Sequence, residues 1–529
     1  MPGWERERAA ARLVDMSPTT THTLALTAVP AALLVALLPP LTADAVPGTA
    51  ARPALTWAPC AGTSATADAR QECATLRVPM DHADPTGPQI SLALSRIPAE
   101  NPDSRHGALL LIPGGPGGSS IDDPSGKGQK LPREIRDQYD LIGFAPRGLA
   151  PSTSVDCKLE PTDLAAAKLR PWPAPDGSIG RNMATAERLA TACARNGGEL
   201  LRHLDTRNNA RDLDRVRAAL GERKISAWAV SYGTYVGAVY SQMFPHRTDR
   251  IVLDSNDDPD PVRANRAWLA AHEQGVEDVF PHFAAWASKP GNPDRVAETA
   301  AEVRPLFLRL AARLDREPIP WPGADAGELN GNVLRQTMLD SLYRPGRYPA
   351  LAQLMRAARQ GTVPPVPPAP PESVVQNVTA VGVGTLCNDV AWPTSPAVYE
   401  KGVADSRAEY PLTAGMPRNA LPCAAWPHQP REAPVRITGR GPSNILLVQN
   451  RRDVATPLGG AWKLREAFGR RAVMVTVDST GHHAYLAEGN ACGDRTVSRF
   501  LATGARPDRD TYCPQDGTPA SQAVRPTGR

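Results

Sequence analysis

The chain has 529 residues, 55 of them proline, and a formal net charge of +4 at pH 7 from 59 basic and 55 acidic side chains. This length suffices for one large domain with an insertion, or for two or three ordinary domains. The nearly balanced charge, without a block of basic residues, argues against a nucleic-acid partner.

Residues 1–45 have the features of a secretion signal. Arginines precede an apolar run over residues 24–41, and residues 43–45 have the small-x-small form of a signal-peptidase site. Prolines interrupt the apolar run, so it is poorly suited to span a membrane. Translation could begin at Met1 or at Met16. We therefore expect a secreted, extracellular protein that has no membrane segment after signal cleavage.

Eight cysteines follow this segment, without a Cys-x-x-Cys pair. An even number in an exported chain favours disulfides over metal ligation. The pairs that we expect, each local to one segment of the chain, are Cys60–Cys73, Cys157–Cys193, Cys387–Cys423 and Cys492–Cys513. The alternative is that one or more of these pairs are free buried thiols.

Residues 46–258 form the first part of a predicted α/β domain. Residues 54–100 alternate apolar and polar side chains around a Pro-Gly turn, which is typical of an antiparallel edge. Residues 108–112 are continuously apolar, as in a strand buried on both faces. Further strands are predicted at 139–144 and 250–254.

Residues 113–120 are rich in glycine and follow a predicted strand directly. A phosphate cradle is one interpretation, but the Gly-x-Gly-x-x-Gly and Gly-Lys-Ser/Thr patterns are both missing. The other is an oxyanion loop, where backbone N–H groups can approach a tetrahedral intermediate because side chains are absent. A serine downstream favours the second interpretation, with Gly114 or Gly115 as a donor.

That serine, Ser231, stands where a predicted strand at 225–230 turns directly into a helix. Ala229 and Gly233 flank it at minus two and plus two, where a nucleophile elbow needs small residues because its strand and helix backbones come close. An ordinary Ser-Gly turn is the alternative for so short a pattern. In an elbow, the N–H of Tyr232 would be the second oxyanion donor.

Helices and strands alternate around this serine. A helix is predicted at 208–220, with Asn208 at its start, and the alternation indicates a mostly parallel sheet flanked by helices. The pattern changes over residues 259–440, where helical spacing predicts a largely helical cap inserted into the domain. Its predicted helices include 294–314, 332–342 and 349–359. The sheet domain resumes over residues 441–529.

A serine hydroxyl needs a base, and the base needs a partner that fixes its tautomer. Asp453 and His482 each follow a predicted strand, which gives the order Ser231, Asp453, His482 expected of an α/β-hydrolase. Asp453 alone could be a turn residue. Asp478 is a rival acid and His483 a rival base. The adjacent histidines could suggest a metal, but no further ligand spacing accompanies them, so we expect no metal.

Five motifs in order resemble the secreted tripeptidyl aminopeptidase and proline iminopeptidase group of α/β-hydrolases: residues 113–119, 143–148, 229–234, 453–457 and 481–482. The likeness spans roughly residues 54–515, including the segments 386–389 and 490–513. Ala145 stands where such proteins carry Asp, and Ala229 where they carry Gly. The first departure is expected to loosen the loop beside the active site.

The resemblance implies a serine exopeptidase that removes tripeptides or single residues from the N-termini of peptides, as a monomer and without a cofactor. Such an enzyme must place a carboxylate near the bound ammonium, and the candidates are Asp389, Asp257 and Asp258. Two alternatives remain. One is a secreted carboxylesterase with the same triad, and the other is a catalytically inactive binding protein on the hydrolase scaffold.

Overall fold

The structure is a computed structural model, and it describes residues 55–61, 68–164, 170–260, 264–324, 326–366, 368–487 and 489–517. The predicted secretion signal lies outside these residues and stays a prediction. None of the helices in the described ranges is long and apolar enough to cross a membrane.

The main sheet combines an antiparallel edge with a parallel centre. Its strands are β1 (Ala58–Pro59), β2 (Glu72–Pro79), β3 (Gln89–Ile97), β4 (Gly107–Ile112), β5 (Tyr139–Phe144), β6 (Ile225–Val230), β7 (Thr248–Asp254), β10 (Ile445–Arg452), β11 (Ala472–Thr480) and β12 (Thr511–Cys513). A separate pair consists of β8 (Ile319–Pro320) and β9 (Glu328–Leu329). The order across the main sheet is β1-β2-β3-β5-β4-β6-β7-β10-β11-β12.

Strand direction and burial follow the sequence pattern. β1, β2, β3 and β5 pair antiparallel in that order, and every pairing from β5 onward to β12 is parallel. Every residue of β4, β5 and β6 is buried, as a continuous apolar run requires of a strand covered on both faces. The predicted α/β-hydrolase fold, with a mostly parallel sheet flanked by helices, is confirmed.

The helices lie between and around these strands. They are α1 (Asp123–Gly126), α2 (Arg133–Gln138), α3 (Gly180–Asn196), α4 (Gly198–Leu201), α5 (Thr206–Ala219), α6 (Tyr232–Met243), α7 (Ala264–Ala287), α8 (Ala300–Arg316), α9 (Gly331–Leu342), α10 (Tyr348–Gln360), α11 (Glu372–Asp389), α12 (Pro396–Glu409), α13 (Leu458–Phe468) and α14 (Ala491–Thr503). α6 packs on β4, β6 and β7, the central strands.

The helix before the elbow begins earlier than predicted. Asp205, not Asn208, caps α5, because its carboxylate accepts a hydrogen bond from the Asn208 N–H at 2.7 Å. The Asn208 side chain lies in the first turn and donates back to Asp205 at 2.7 Å. Both residue types cap helices well, so composition alone does not decide between them.

A capping box also corrects the start of the helix predicted at 294–314. α8 begins at Ala300, where the Thr299 side chain and the Glu302 side chain satisfy each other's backbone N–H groups. Val296 continues the apolar pattern and is buried, but it lies before the helix. The reciprocal hydrogen bonds therefore set the helix start, and the apolar spacing does not.

Between β7 and β10 the described residues form α7 to α12 and the short β8–β9 pair. This interval contains the predicted cap at 259–440, whose limits stay a prediction. α7 and α11 were not predicted as helices. α7 contains Pro281, which normally ends a helix, and α11 is rich in valine and glycine, which are weak helix formers.

Four disulfides join the same cysteine pairs that chain proximity suggested. No described cysteine is free. Cys387, at the end of α11, is bonded to Cys423, and Cys157 is bonded to Cys193 of α3. Each bridge is worth about 2–4 kcal/mol in a chain of this kind.

The loop after β5 is held by a buried ion pair. Arg147 is 1% exposed and donates to both carboxylate oxygens of Asp212 at 2.7 Å. His82 contacts the same carboxylate at 2.8 Å. Arg147 holds the loop from the neighbouring side, and the Ala145 N–H donates to the Ala93 carbonyl, while the expectation that Ala145 loosens the loop stays a prediction.

Replacing Arg147 by methionine is expected to lower the free energy of unfolding by about 3–5 kcal/mol, because it leaves the buried Asp212 carboxylate without its main counter-charge. Urea unfolding measures the loss. Lys401→Met is the control, since Lys401 pairs with Asp405 on the surface, where both side chains are largely exposed. Equal losses in the two variants would contradict a structural role for the buried pair.

Candidate active site

Ser231 occupies a sharp turn between β6 and α6. Its backbone has φ 58° and ψ −130°, a conformation that non-glycine residues seldom adopt outside functional turns. Its N–H donates to the carbonyl oxygen of Asp254 at 3.0 Å, so the turn is tied to the end of β7. This is the geometry of a nucleophile elbow.

The small residues around the elbow are required by close backbone approach. A Cβ atom on Gly233 would lie 2.6 Å from the Pro113 carbonyl oxygen. Ala229 is accommodated because glycine stands opposite it on the helix: a Cβ on Gly237 would lie 3.3 Å from the Ala229 methyl. The departure at 229 is therefore matched by space at 237.

The glycine-rich loop lies directly against the serine. A Cβ atom on Gly114 would lie 2.9 Å from the Ser231 Cβ and 3.4 Å from its Oγ. Tyr232 is the first residue of α6, so its N–H is one of the terminal donors that lack a partner within the helix. Gly115, with φ 124°, is the next residue of the loop. Gly114 therefore lies against Ser231, and the role of Gly114, Gly115 and Tyr232 as oxyanion donors stays a prediction.

Gly114→Ala is expected to lower kcat by about 100- to 1,000-fold, because the added methyl group displaces either the loop donor or the serine. Steady-state kinetics on one substrate, with circular dichroism to verify folding, measures the effect. Gly180→Ala is the matched control, since nothing lies within 4 Å of a Cβ built there. A G114A enzyme as active as G180A would contradict the placement of the donor.

Asp453 and His482 are in direct contact. The His482 Nδ1 lies 2.9 Å and 3.0 Å from the two carboxylate oxygens of Asp453. The same carboxylate accepts hydrogen bonds from the N–H groups of Ala455 and Thr456 and from the Thr456 hydroxyl. A carboxylate only accepts, so Nδ1 carries the proton and Nε2 is left as the base. Asp453 is therefore both a turn residue and the partner of the imidazole.

Electrostatics favour a charged pair at this position. Burial lowers the pKa of His482, but the charge and hydrogen bond of Asp453 outweigh it and hold that pKa above its ordinary value. Burial likewise raises the pKa of Asp453, yet the interactions with His482 bring it below its ordinary value. An imidazolium at His482 would therefore be stabilised by the Asp453 carboxylate.

The loop after β11 that carries His482, residues 481–485, is here called the histidine loop, and it folds back across the sheet towards the elbow. β7 and β10 lie between β6 and β11, the strands that lead to Ser231 and His482. The Asp254 carboxylate, at the end of β7, accepts hydrogen bonds from the N–H groups of Ala484 and Tyr485 at 2.8 Å and 3.1 Å. Sequence reasoning missed Asp254. The available signal was a single acid closing an apolar strand.

Within the described part of the chain, the Ser231 hydroxyl makes no hydrogen bond to the His482 ring, which bonds Asp453 through Nδ1. Asp254 nevertheless connects the two residues: its carbonyl oxygen binds the Ser231 N–H, and its carboxylate binds the histidine loop. Catalytic hydrogen bonds are commonly long before substrate binds. The structure therefore brings the base and the acid into contact and ties the serine to the same strand end.

The helical interval between β7 and β10 contributes a residue beside His482. Tyr343, which follows α9, accepts a hydrogen bond from the His482 N–H on its carbonyl oxygen at 2.8 Å. Its ring lies edge-on to the His482 ring, with 5.3 Å between centroids. Its hydroxyl lies 3.1 Å from the His272 Nε2. No pattern in the sequence pointed to Tyr343, because it contacts the site through its backbone and ring.

Asp478 and His483, the rivals of Asp453 and His482, have other surroundings. Asp478 bonds the Tyr512 hydroxyl at 2.5 Å and pairs with Arg452 at 2.7 Å. The ring of His483 lies 4.6 Å from that of His482, and burial together with the neighbouring imidazole lowers its pKa well below the ordinary value. The acid–base contact therefore belongs to His482.

The three candidate amine anchors differ in what surrounds their carboxylates. Asp389 accepts hydrogen bonds from the N–H and hydroxyl of Thr206, so its charge is used inside the protein. Asp258 pairs with the Lys463 Nζ at 2.5 Å. Asp257 is 6% exposed, and burial raises its pKa to about 7.

Two cavities open beside the site. One, of about 850 Å³, starts at Gly115 and Pro116 and extends to Trp172 and Glu328. The other, of about 580 Å³, includes Asp257 and also Ala455 and Thr456, two and three residues beyond Asp453. Leu269 lines both. Their volumes are those of small-molecule and peptide sites.

Comparison with known proteins agrees with this architecture. Residues 107–339 match the family model described as alpha/beta hydrolase fold, and residues 410–513 match the one described as TAP-like protein. The tripeptidyl aminopeptidase of Streptomyces coelicolor is 32% identical over 483 residues, which cover 89% of this chain and 88% of that protein. The chain belongs to the tripeptidyl aminopeptidase family of α/β-hydrolases.

Other members of this family extend the comparison. Serine protease Hip1 of Mycobacterium tuberculosis is 28% identical, over 83% of this chain and 87% of that protein. Carboxylesterase B of the same species is also 28% identical, over 87% and 90% of the two chains. The predicted family resemblance is confirmed, and the chain is a serine peptidase-like hydrolase.

Proposed function

We propose that the chain is a secreted serine exopeptidase that releases tripeptides or single residues from the N-termini of peptides. The observation that carries the proposal is the contact between His482 and Asp453, joined through Asp254 to an elbow serine, in a member of this family. The four disulfides fit an exported protein.

In the proposed mechanism the Ser231 oxygen attacks the scissile carbonyl while the His482 Nε2 takes its proton. Asp453 keeps Nδ1 protonated and stabilises the imidazolium. The N–H groups of Tyr232 and Gly114 bind the oxyanion, and His482 then protonates the leaving amine. Water, activated by the same imidazole, hydrolyses the acyl-enzyme and restores the serine.

The activity should require a neutral His482. Because Asp453 holds the pKa of this imidazole above 6.5, we expect kcat/KM to fall as the pH decreases through a value above 6.5. A pH profile of kcat/KM measures the position of this limb. An acid limb centred below 6.5 would contradict the raised pKa of the base.

A secreted carboxylesterase is the second candidate, and the likeness to Carboxylesterase B favours it. The same triad hydrolyses esters, so the cavities decide the substrate. A panel of aminoacyl and tripeptidyl anilides against short acyl esters separates the two: a peptidase releases amines from the anilides, whereas turnover of esters alone would refute the exopeptidase.

An inactive binding protein on this scaffold is the third possibility raised by the sequence. A fluorophosphonate probe distinguishes it from both enzymes, because only an activated serine is phosphonylated at an appreciable rate. We expect rapid labelling that a tripeptidyl substrate slows by competition. An unlabelled protein would refute both enzyme functions.

A further inference from the structure

Asp257 is a buried carboxylate whose side chain has no partner among the residues that the structure describes. It is 6% exposed, and among the described residues its side chain accepts no hydrogen bond and forms no ion pair. Burial is the main cause of its raised pKa, and of the charged groups around it only His482 opposes the rise. A carboxylate buried in this way is costly to ionise, and a cation that enters the cavity would offset this cost.

The other acids that line the same cavity, Asp258 and Asp278, have partners within the protein, and Arg266, Arg418 and Lys463 line it as well. Asp258 pairs with Lys463 at 2.5 Å, and Arg418 pairs with Glu273 at 2.7 Å. The carboxylate of Asp278 accepts a hydrogen bond from the Gln274 amide at 2.7 Å. Among the described residues, Asp257 is thus the acid on this wall that neither an ion pair nor a hydrogen bond to its carboxylate engages.

The position of Asp257 is fixed relative to the nucleophile. Its N–H donates to the Thr234 hydroxyl at 3.1 Å, and this hydroxyl donates to the Ser231 carbonyl oxygen at 2.6 Å. Asp257 also lines the 580 Å³ cavity, which reaches Ala455 and Thr456 beside Asp453. A ligand group held by this carboxylate would therefore lie at a defined distance from the reacting serine.

We propose that Asp257 binds a cationic amine of the substrate within this cavity. On the proposed exopeptidase function, on which the identity of the ligand rests, the amine is either the N-terminal ammonium or the side chain of a basic residue. A carboxylate and an ammonium form a charge-assisted hydrogen bond, which is stronger in a buried cavity than in water. Asp389 and Asp258 do not share this role, since their charges are used within the protein.

Calorimetric binding to the full chain carrying Ser231→Ala tests the proposal without turnover. The ligands are a tripeptide amide with a free N-terminus and its N-acetyl form. A second pair has the N-acetyl tripeptide amide with one lysine, and the same peptide with norleucine in its place. Each pair differs by one charge, so the ratio of Kd values within a pair isolates the contribution of the amine.

With Asp257 present, we expect loss of the positive charge in one of the two pairs to weaken binding by about 10- to 100-fold. In the D257N background, the ratio of Kd values between the uncharged and the charged peptide of that pair should fall below about threefold. In D258N, the matched control, it should equal that of the parent. Loss of the ratio in the first pair identifies the N-terminal ammonium as the ligand, and loss in the second pair identifies the basic side chain.

A ratio that D257N leaves unchanged in both pairs would overturn the proposal, as would binding of no cationic peptide. The thermal midpoint of D257N adds an independent readout. It should equal or exceed that of the parent, because the variant removes an uncompensated buried charge. A lower midpoint would show a structural role and would also overturn the proposal. Failure of the exopeptidase function appears separately, as absent turnover of anilides by the unmodified chain.

Discussion

Replacing Ser231 by alanine is expected to lower kcat by about three to six orders of magnitude. The serine is the only group that can form the acyl-enzyme in the proposed mechanism, and its position at φ 58° between β6 and α6 cannot be taken over by another side chain. The variant keeps the oxyanion donors and the cavities, so binding of substrate should persist while turnover is lost. Single-turnover and steady-state kinetics on a tripeptidyl anilide measure the difference.

Ser241→Ala is the matched control for this variant. Ser241 lies on α6, is fully buried, and its hydroxyl has no hydrogen-bond partner among the described residues. We therefore expect S241A to retain kcat within about twofold of the unmodified enzyme, since small polar-to-apolar changes at such sites alter mainly stability. Near-normal turnover by S231A would end the proposed mechanism.

Asp453→Asn is expected to lower kcat by about four orders of magnitude. The amide presents an N–H where the carboxylate accepted the Nδ1 proton, so the imidazole is driven to the tautomer whose Nε2 cannot act as a base. The acid limb of the pH profile should also move to lower pH. The reason is that burial, no longer outweighed by the Asp453 charge, then dominates the pKa of His482.

The rival acid provides the control for this prediction. Asp478 has a pKa below its ordinary value, because its bonds to Tyr512 and Arg452 outweigh the effect of burial, and it lies on the strand that leads to His482. D478N should therefore change kcat by less than about tenfold and leave the acid limb in place. A larger loss of kcat in D478N than in D453N would show that Asp478, and not Asp453, is the acid that assists His482.

The local parts of the site could be predicted from the sequence. Ser231, Asp453 and His482 each follow an apolar run that ends at the same edge of a parallel sheet, so their convergence follows from topology. Glycine at 114 and 233 could likewise be anticipated, because only glycine leaves room for backbone approach at an elbow and its oxyanion loop.

Residues that act through long-range contacts could not be predicted in this way. Asp254 binds a loop 230 residues further along the chain, and the sequence shows it only as an acid at the end of a strand. Asp257 and Asp258 are adjacent in sequence, yet among the described residues a lysine from α13 pairs with Asp258 and not with Asp257. Tyr343 is placed by its contacts with His272 and His482, which apolar spacing does not specify.

Ala145 and Ala229, the two departures from the family pattern, also show that long-range contacts are not predictable from the sequence. Each could be noted from the sequence, but its consequence depended on a distant residue. Gly237 leaves space for the Ala229 methyl, and the Arg147–Asp212 pair holds the loop that Ala145 was expected to loosen. Compensation of this kind is visible only once the fold places the partners together.

The central claim is that Ser231 is a nucleophile activated by His482 and Asp453. Its most direct measurement is peptide mass spectrometry of the chain after brief exposure to a fluorophosphonate probe. We expect one adduct, on the peptide that contains Ser231, and slower labelling in D453N. An adduct on a different residue, or the absence of any adduct on the folded unmodified chain, would contradict it.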